Sequence, residues 1–506
     1  MLHWLLPKEH LDEQDIHRGL RMLHMDAVFG QMMAAFTMGP FMIAFAVLLG
    51  APNVVIGLLG AIGPLSQIIQ IPAVFLVERT GLRKALTVGT ALVARSVWLA
   101  VASIPLWVPE EFRITAFLGC LIAYFGLSAV TSCAFASWIR DVIPERAMAA
   151  FFSKRMMFAT AAGASVSLLA GMGVDAYRAA FGSAMGAYSI IYVLGALAGF
   201  VGVYALGAIP EPKMLSSNGH GFHAVLARPF KDHPFRNLTL FLGAWAFATN
   251  FSGPFFAVYM LRRMELNMTW LLGLTVLSQV MNIVSFSIWG RIADRFNNKS
   301  VLSVTVPLYF FCLLLWPLMS SWGIEAAMVL VVFFHALAGV ATAGVALAAN
   351  NLTLLRAPRG EATSYLAVSA LVQGLAASIA PVIAGLAADT FDPHAISINF
   401  HWHYEDAQQP MDLMFSAIQI HGLDFIFLSS FIFGLYAIHR LLAVHEEGEV
   451  SEKVVRREFF IELERVARKV STVAGLRLFA DVAFSRMAGY SRKEESKERR
   501  DPQGLS

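Results

Sequence analysis

Polar side chains that could bind a solute lie one helical turn apart in two apolar segments of this sequence. Gln67 and Gln70 lie in one segment, and Gln279 and Asn282 lie in another. Residues three apart share a helix face, and an amide group offers both hydrogen-bond donors and acceptors. We therefore predict that the two pairs line a binding site for a polar solute. The alternative is that they join neighbouring helices by hydrogen bonds.

A single arginine, Arg95, falls inside an apolar run, about 16 Å along a helix from Lys84 at 1.5 Å per residue. A charge in the hydrocarbon layer costs roughly 2.5–3.5 kcal/mol on insertion scales, so it suggests function. The planar guanidinium suits a carboxylate or a phosphate, and no acid is evident in mid-membrane to neutralise it. We predict that Arg95 anchors an anionic solute. The alternative is a structural pair with an acid or with helix-end carbonyls.

Two other titratable residues are candidates for proton coupling. Asp26 lies at the end of the first apolar segment, and His335 lies within the tenth. Imidazole changes charge near neutral pH, although a histidine inside a helix can also be purely structural. The cysteines, Cys120, Cys133 and Cys312, lie in apolar runs, which predicts neither a disulfide framework nor a zinc cluster.

The elements that position these residues are predicted to be membrane spans. The chain of 506 residues is 57% hydrophobic and only 14% charged, with a mean hydropathy of +0.62. Soluble chains carry about 25% charged residues, so the composition excludes a disordered chain, a charge-based nucleic-acid binder and an ordinary cytosolic enzyme. A bilayer core needs roughly 20 apolar residues per helix. We place twelve such spans, at 24–49, 54–77, 85–108, 114–138, 156–174, 183–209, 237–260, 269–293, 301–320, 325–349, 365–390 and 422–440.

Three short patterns recur at an offset of 212 to 214 residues, each in the matching place of two sets of six spans. Gly39–Phe41 returns as Gly253–Phe255, Leu65–Gln67 returns as Leu277–Gln279, and the loop tripeptide 144–146 returns at 358–361. Because six is an even number, both sets cross the membrane in the same direction. This is the parallel repeat that places a substrate site near the midplane, between the halves.

The repeat predicts an all-α polytopic membrane protein with twelve transmembrane helices in two six-helix bundles. The bundles span 24–209 and 237–440, and a segment rich in proline, serine and glycine joins them. The remaining parts are an N-terminal segment 1–23, the linker 210–236 and a tail 441–506.

A charged loop follows the second span of each half. The first contains Glu78, Arg79, Gly81, Arg83 and Lys84, and the second contains Gly290, Asp294, Arg295 and Lys299. Both resemble the Gly-x-x-x-Asp-Arg-x-Gly-Arg-Arg/Lys loop of the major facilitator superfamily, although the first copy has Val74 for the opening glycine. The resemblance implies that these loops gate the transporter, because an acid beside several bases can pair in two alternative ways. The alternative is that the bases only set membrane topology.

The distribution of Lys and Arg predicts the orientation of the chain. One side receives only Arg113, Arg178, Arg262 and Arg263, and Arg95 is inside a span, whereas the rest of the 38 lie on the other side. By the positive-inside rule, both termini are predicted to be cytoplasmic. The location is then the plasma membrane, or the cell inner membrane if the source is a Gram-negative bacterium.

Two segments outside the spans have patterns of their own. Residues 396–404 alternate apolar and polar side chains, which predicts that the outer loop 391–421 forms a short hairpin or a polar lid. His401 and His403 could contribute to a metal site, but their spacing matches no specific metal motif. In the tail, apolar residues recur every three or four positions from Val455 to Val470, and again over Leu476–Met487, which predicts amphipathic helices.

The sequence thus predicts a secondary active transporter that moves a small solute, with an organic anion as one hypothesis, by rocker-switch alternating access. It is predicted to act as a monomer in the lipid bilayer, with a proton or ion as a coupling partner and without cofactor, metal or nucleic acid. No phosphate-binding loop is apparent, so ATP is not predicted to drive transport directly. No nucleophile–base pair or metal-ligand cluster lies inside the spans, so we predict that it is not an enzyme. The alternatives are a lipid, amphiphile or drug transporter, and a non-transporting sensor or scaffold that signals through its tail.

Overall fold

The structure is a computed structural model. It describes residues 7–8, 12–142, 148–213, 229, 231–321, 324–357, 362–404, 411–446 and 450–470. The loop tripeptides at 144–146 and 358–361, most of the linker 210–236 and the predicted second tail helix at 476–487 lie outside these residues.

Helices make up most of the described chain, as the apolar runs predict. In the first half they are α1 (Glu13–Thr37), α2 (Pro40–Leu48), α3 (Asn53–Ser66), α4 (Gln70–Thr80), α5 (Arg83–Trp107), α6 (Glu110–Val142), α7 (Met148–Phe181) and α8 (Met185–Ala208). In the second half they are α9 (His233–Ser252), α10 (Phe255–Val258), α11 (Met268–Arg295), α12 (Asn298–Leu315), α13 (Ile324–Arg356), α14 (Ala362–Phe391), α15 (Asp424–Leu442) and α16 (Glu452–Val470).

Among the described residues, 10 helices are long and apolar enough to cross a membrane. The all-α polytopic fold is therefore confirmed, while the count of twelve stays a prediction. The other two predicted spans are interrupted helices. A 3₁₀ turn, Gln67–Ile69, separates α3 from α4, and a turn at Gly253-Pro254 separates α9 from α10. Proline lacks the N–H that would continue a helix, which explains the second interruption.

The predicted Gly39–Phe41 and Gly253–Phe255 repeat marks a helix break in both halves. The first break separates α1 from α2, as the second separates α9 from α10. Within the halves, α1 packs against α7 and α8, and α9 packs against α14 and α15. Between the halves, α3 packs against α14 and α7 packs against α11. Each of these two seams joins the second span of one half to the fifth span of the other, as a parallel repeat requires.

Glycine is required where α3 crosses α14. A Cβ on Gly57 would overlap the carbonyl oxygen of Pro381, and a Cβ on Gly385 would lie 2.6 Å from the Asn53 carbonyl oxygen. Small residues let helix backbones approach closely, which is how membrane helices gain packing energy. The backbones of α3 and α14, and so of the two halves, are therefore in contact at these positions.

The loop after α14 forms a two-stranded antiparallel hairpin, as one of the two predictions for it states. Strand β1 (Ala395–Tyr404) pairs with β2 (Met411–His421), and the register shifts between Ile398 and Asn399. The hairpin is the exception to the all-α prediction.

The position of the hairpin defines two faces of the molecule. The hairpin face contains the connections at 48–53, 107–110, 181–185 and 263–268, and the basic face contains the described connecting residues at 80–83, 208–213, 295–298 and 442–446.

The tail forms an amphipathic helix, α16, over the residues for which the sequence predicts one. Its Val455 is fully buried, and the ring of its Phe459 stacks on Trp289 of α11 at 4.5 Å between centroids. Glu462 Oε2 lies 2.7 Å from Arg291 Nε, and Glu458 Oε2 lies 2.8 Å from Arg295 Nη1. The tail helix thus docks on the basic face of the second half through both apolar and charged contacts.

We expect Phe459→Ala to loosen this docking, because removal of a partly buried ring loses apolar contacts. Amide hydrogen exchange over 452–470 should become about tenfold faster, corresponding to roughly 1.4 kcal/mol. Phe460→Ala is the matched control, since the neighbouring Phe460 is 46% exposed and its removal should change exchange less than about twofold. Equal effects of the two substitutions would contradict the docked geometry.

Candidate functional site

A cavity of about 370 Å³ lies where the helix breaks of the two halves meet. Gly39, Pro40 and Ile43 of the first half line it, and Gly253 lines it from the second half. Helices α10, α11, α12 and α13, together with Met260 and Trp316, supply the other walls. The cavity is therefore bounded by both halves, which is where a parallel repeat is expected to place a substrate site.

A second cavity, of about 490 Å³, adjoins the first, and Tyr309 and Thr342 line both. The second cavity runs between α9, α13 and α14 toward the ends of these helices at the basic face, where Thr353 and Leu366 line it. The two cavities are therefore arranged one after the other between the middle of the molecule and the basic face.

The first cavity is lined mainly by apolar and aromatic side chains, with a few polar groups. The indole N–H of Trp316 is buried and has no hydrogen-bond partner in the part of the chain that the structure describes. His335 Nδ1 lies 2.9 Å from the Val331 carbonyl oxygen, and Ser278 donates to the His335 carbonyl oxygen. Among the described residues that line the two cavities, none is Asp, Glu, Lys or Arg.

At the hairpin face, two aspartates tie the halves together in the same way. Asp389, at the end of α14, accepts hydrogen bonds from the backbone N–H groups of Asn53 and Val54 at 2.9 and 2.8 Å. Asp175, in α7, accepts from those of Met268 and Thr269 at 3.0 and 2.8 Å. Each carboxylate caps a helix start in the other half, where free N–H groups and the helix dipole favour a negative charge.

Asp175 and Asp389 are 214 residues apart, so this reciprocal pair follows the sequence repeat. Arg262 adds a third connection at the same face, where its Nη2 donates to the Ala51 carbonyl oxygen at 2.8 Å. Every hydrogen bond recorded between described residues of the two halves lies at the hairpin face. The halves are therefore closed against each other there.

At the basic face, each half caps the start of its own third span with a carboxylate that follows its sixth span. Glu211 accepts from the backbone N–H groups of Arg83 and Lys84 at 2.9 and 3.2 Å. Glu446 accepts from the Lys299 N–H at 2.7 Å and from Asn298 Nδ2 at 3.2 Å. Sequence reasoning missed both glutamates.

Arg83 is buried and also donates to the Pro212 carbonyl oxygen at 2.7 Å. Burial raises the pKa of the Glu211 carboxyl above its ordinary value, while the N–H of Lys84 and the guanidinium of Arg83 oppose the rise. The start of the linker thus holds Arg83 and Lys84 of the first charged loop.

Comparison with known proteins agrees with this architecture. The family model described as Major Facilitator Superfamily matches residues 27–381. The chain belongs to the major facilitator superfamily. Members of this superfamily are transporters rather than enzymes, and the chain is an integral membrane protein. No curated protein matches the chain in sequence.

Several solved transporter structures share the fold at low sequence identity. A mutant of the nucleoside transporter NupG is 10% identical, with a TM-score of 0.63 over 85% of this chain and 100% of its own. A bacterial homologue of the iron transporter ferroportin, facing inward, is 14% identical, with a TM-score of 0.61 over 85% and 99%. An inward-facing, unoccupied bacterial homologue of the human lysosomal transporter Spinster is 14% identical, with a TM-score of 0.58 over 88% and 99%. Because these proteins are described by different substrates, the fold does not identify the substrate.

The remaining residues of the superfamily loops have different environments. Gly81 ends α4 with a φ of 63°, a left-handed conformation that glycine adopts without strain. Arg79 and Asp294 are exposed, and Gly290 is half-buried. Arg295 pairs with the tail, as described above, and Lys299 is buried at the start of α12. The side chain of Glu78 lies outside the described residues. Gating by these loops stays a prediction.

Arg95 lies in a cluster of charged residues away from both cavities. Its Nη2 lies 3.7 Å from Asp26 Oδ1, and its Nη1 donates to the Gly199 carbonyl oxygen at 2.6 Å. Arg155 Nη2 lies 3.4 Å from Asp26 Oδ2. The expectation that no acid neutralises Arg95 is therefore wrong. A carboxylate at one span end and an arginine deep in another span meet because α1 and α5 both pack against α8.

The predicted amide pairs are only partly brought to the cavities. Asn282 donates to Thr342 Oγ1 at 3.1 Å, so it contacts a residue that lines both cavities. Gln67 and Gln279 are exposed, and Gln70, the first residue of α4, donates to Gln67. Among the predicted site residues, His335 alone appears in the described lining. The aromatic lining residues Tyr309 and Trp316 were missed, because an aromatic residue in an apolar run resembles a lipid-facing one.

Proposed function

We propose that the chain is a secondary active transporter that moves a small solute by alternating access between its two halves. The observation that carries this proposal is the asymmetry of the contacts between the halves. They are hydrogen-bonded at the hairpin face, while the two successive cavities extend from the middle toward the basic face. A rocker switch requires such a state and its opposite, related by rotation of one half against the other.

We further propose that the basic face lies in the cytoplasm of a cell enclosed by the plasma membrane, or by an inner membrane in a Gram-negative bacterium. The excess of Lys and Arg at this face supports the orientation. The inward-facing solved structures with the same fold are consistent with it. On this orientation the state described here opens inward, and the protein acts as a monomer because both cavities lie within one chain.

The solute is proposed to bind in the first cavity rather than at Arg95. Arg95 is engaged by Asp26 and by a backbone carbonyl, so binding of an organic anion there would require breaking a buried ion pair. For the same reason Asp26 is a weaker candidate for proton coupling than His335, whose side chain lines the cavity. The linked proton or ion is thus proposed to act at the cavity.

The reciprocal aspartate caps provide the test of alternating access. Removal of a helix cap costs about 1 kcal/mol, so Asp175→Ala with Asp389→Ala should destabilise the closed hairpin face by roughly 2 kcal/mol. The population open at this face should rise roughly 30-fold. A cysteine in place of Ile43, with Cys120, Cys133 and Cys312 replaced by serine, reports the opening through its reaction with an impermeant maleimide in intact cells.

Glu110→Gln is the matched control, because Glu110 lies at the same face and pairs with Arg113 of its own half. It should leave the rate of maleimide labelling unchanged. If the double aspartate variant is labelled at the wild-type rate, the two aspartates do not keep the hairpin face closed. If, in addition, no solute of a broad panel shows saturable uptake into proteoliposomes, the proposed transport function fails.

A further inference from the structure

The chemistry of the first cavity narrows the class of solute, given the proposed transport function. Its described lining offers aromatic rings and a few hydrogen-bonding groups but no full charge. Burying an unpaired ion in such surroundings costs several kcal/mol, whereas a neutral solute has no such penalty. The described lining therefore offers no ionic partner to an anion or to a cation.

Two polar groups of the cavity have unused hydrogen-bonding capacity, and their roles are complementary. The buried Trp316 N–H is a donor without a partner among the described residues, and an unsatisfied buried donor costs about 1–3 kcal/mol. His335 Nδ1 faces the Val331 carbonyl oxygen. Because a carbonyl can only accept, Nδ1 carries the proton in the neutral ring and Nε2 is left as an acceptor. No hydrogen bond between Nε2 and a described residue is recorded.

The walls of the cavity favour a flat ring. The rings of Phe256 and Trp316 meet edge to face, with centroids 4.7 Å apart and an interplanar angle of 87°. Tyr309 and Phe334 add further aromatic surface. Aromatic rings pack well against other rings in edge-to-face or offset arrangements. The volume of about 370 Å³ is at the lower end for ligand pockets, about 300–1,000 Å³.

We propose that this cavity binds a small, uncharged aromatic solute that has a hydrogen-bond donor, for His335 Nε2, and an acceptor, for the Trp316 N–H, which a rotation of the buried indole would present to the cavity. An aromatic amide has this chemistry. The inference rests on the proposed transport function for its biological meaning, but binding can be measured without transport.

Benzamide, benzoate and benzamidinium form a series of probes with one ring and similar shape that differ in charge. We expect the purified full-length chain in lipid nanodiscs to bind benzamide at least tenfold more tightly than either ion in isothermal titration calorimetry. Methyl benzoate, which is neutral but lacks a donor, should bind less tightly than benzamide. The inference is overturned if either ion binds as tightly as benzamide, or if no probe binds.

Two variants test the two polar groups separately. Trp316→Phe keeps a ring but removes the N–H, and it should weaken benzamide binding about three- to tenfold. Trp107→Phe is the matched control, because Trp107 is 83% exposed at the hairpin face and its substitution should leave binding unchanged. His335→Leu should abolish the preference for benzamide over methyl benzoate. Retention of this preference would overturn the assignment even if the Trp316 variant did not fold.

Together, the binding, labelling and uptake experiments show whether the proposed class of solute is wrong or the proposed transport function is wrong. If benzoate is preferred while the Asp175→Ala, Asp389→Ala variant still opens at the hairpin face, the solute class is wrong and alternating access stands. If benzamide binds as expected but proteoliposomes show no saturable uptake of any bound probe above the leak into protein-free liposomes, the site is correct and the transport function is not.

Discussion

Gly57→Leu is expected to abolish transport while leaving the protein folded. A Cβ at this position would overlap the Pro381 carbonyl oxygen, so any larger residue keeps α3 away from α14. Overpacking of this kind costs typically 1–3 kcal/mol. The cost falls only on the state that is closed at the hairpin face, so the equilibrium shifts toward the state that is open there. Solute uptake into proteoliposomes should fall by about 100-fold, as 3 kcal/mol implies.

Gly89→Leu is the matched control for this substitution. Gly89 lies in α5 and is exposed, and a Cβ at this position would have no neighbouring heavy atom within 4 Å. The Gly89→Leu variant should transport the solute at the wild-type rate. Gly57→Leu should also raise maleimide labelling of a cysteine at position 43, which distinguishes a displaced gate from a misfolded chain. Normal uptake by the Gly57 variant would show that the two helices do not need to touch during transport.

Much of the fold could be predicted from the sequence because hydropathy is a local property. A run of about 20 apolar residues forms a membrane helix whatever its neighbours are. The Gly39–Phe41 and Gly253–Phe255 repeat also carried structural information, since both copies mark helix breaks beside the first cavity. The tail helix and the hairpin could be predicted because their apolar residues recur with periods of about 3.6 and 2 residues.

The site was harder to predict because its groups come from distant parts of the chain. Arg95 and Asp26 looked independent in the sequence, and only helix packing brings them together. The glutamates at 211 and 446 looked like ordinary charges of a linker and a tail, although they cap equivalent helices. One signal was available and unused. Asp175 and Asp389 have the same offset of 214 as the other repeats, which would have indicated their shared role.

Asp26→Leu is expected to lower the free energy of unfolding by about 3–5 kcal/mol, because it leaves Arg95 and Arg155 partly buried without an acid. Thermal unfolding of the detergent-solubilised protein measures the loss. Asp15→Asn, on the same helix, is the matched control. Asp15 pairs with Lys8, whose side chain is 54% exposed, and exposed pairs contribute about 0–1 kcal/mol.

The double variant Asp26→Leu, Arg95→Met decides between the two hypotheses for Arg95. If the arginine is structural, removing both charges should restore part of the stability that Asp26→Leu loses, because only the partly buried Arg155 is then left without its acid. Transport should recover with it. If Arg95 anchors an anionic solute, Arg95→Met alone should fold normally without transport, and the double variant should be equally inactive. Recovery of uptake in the double variant would therefore assign Arg95 to the packing of the first half.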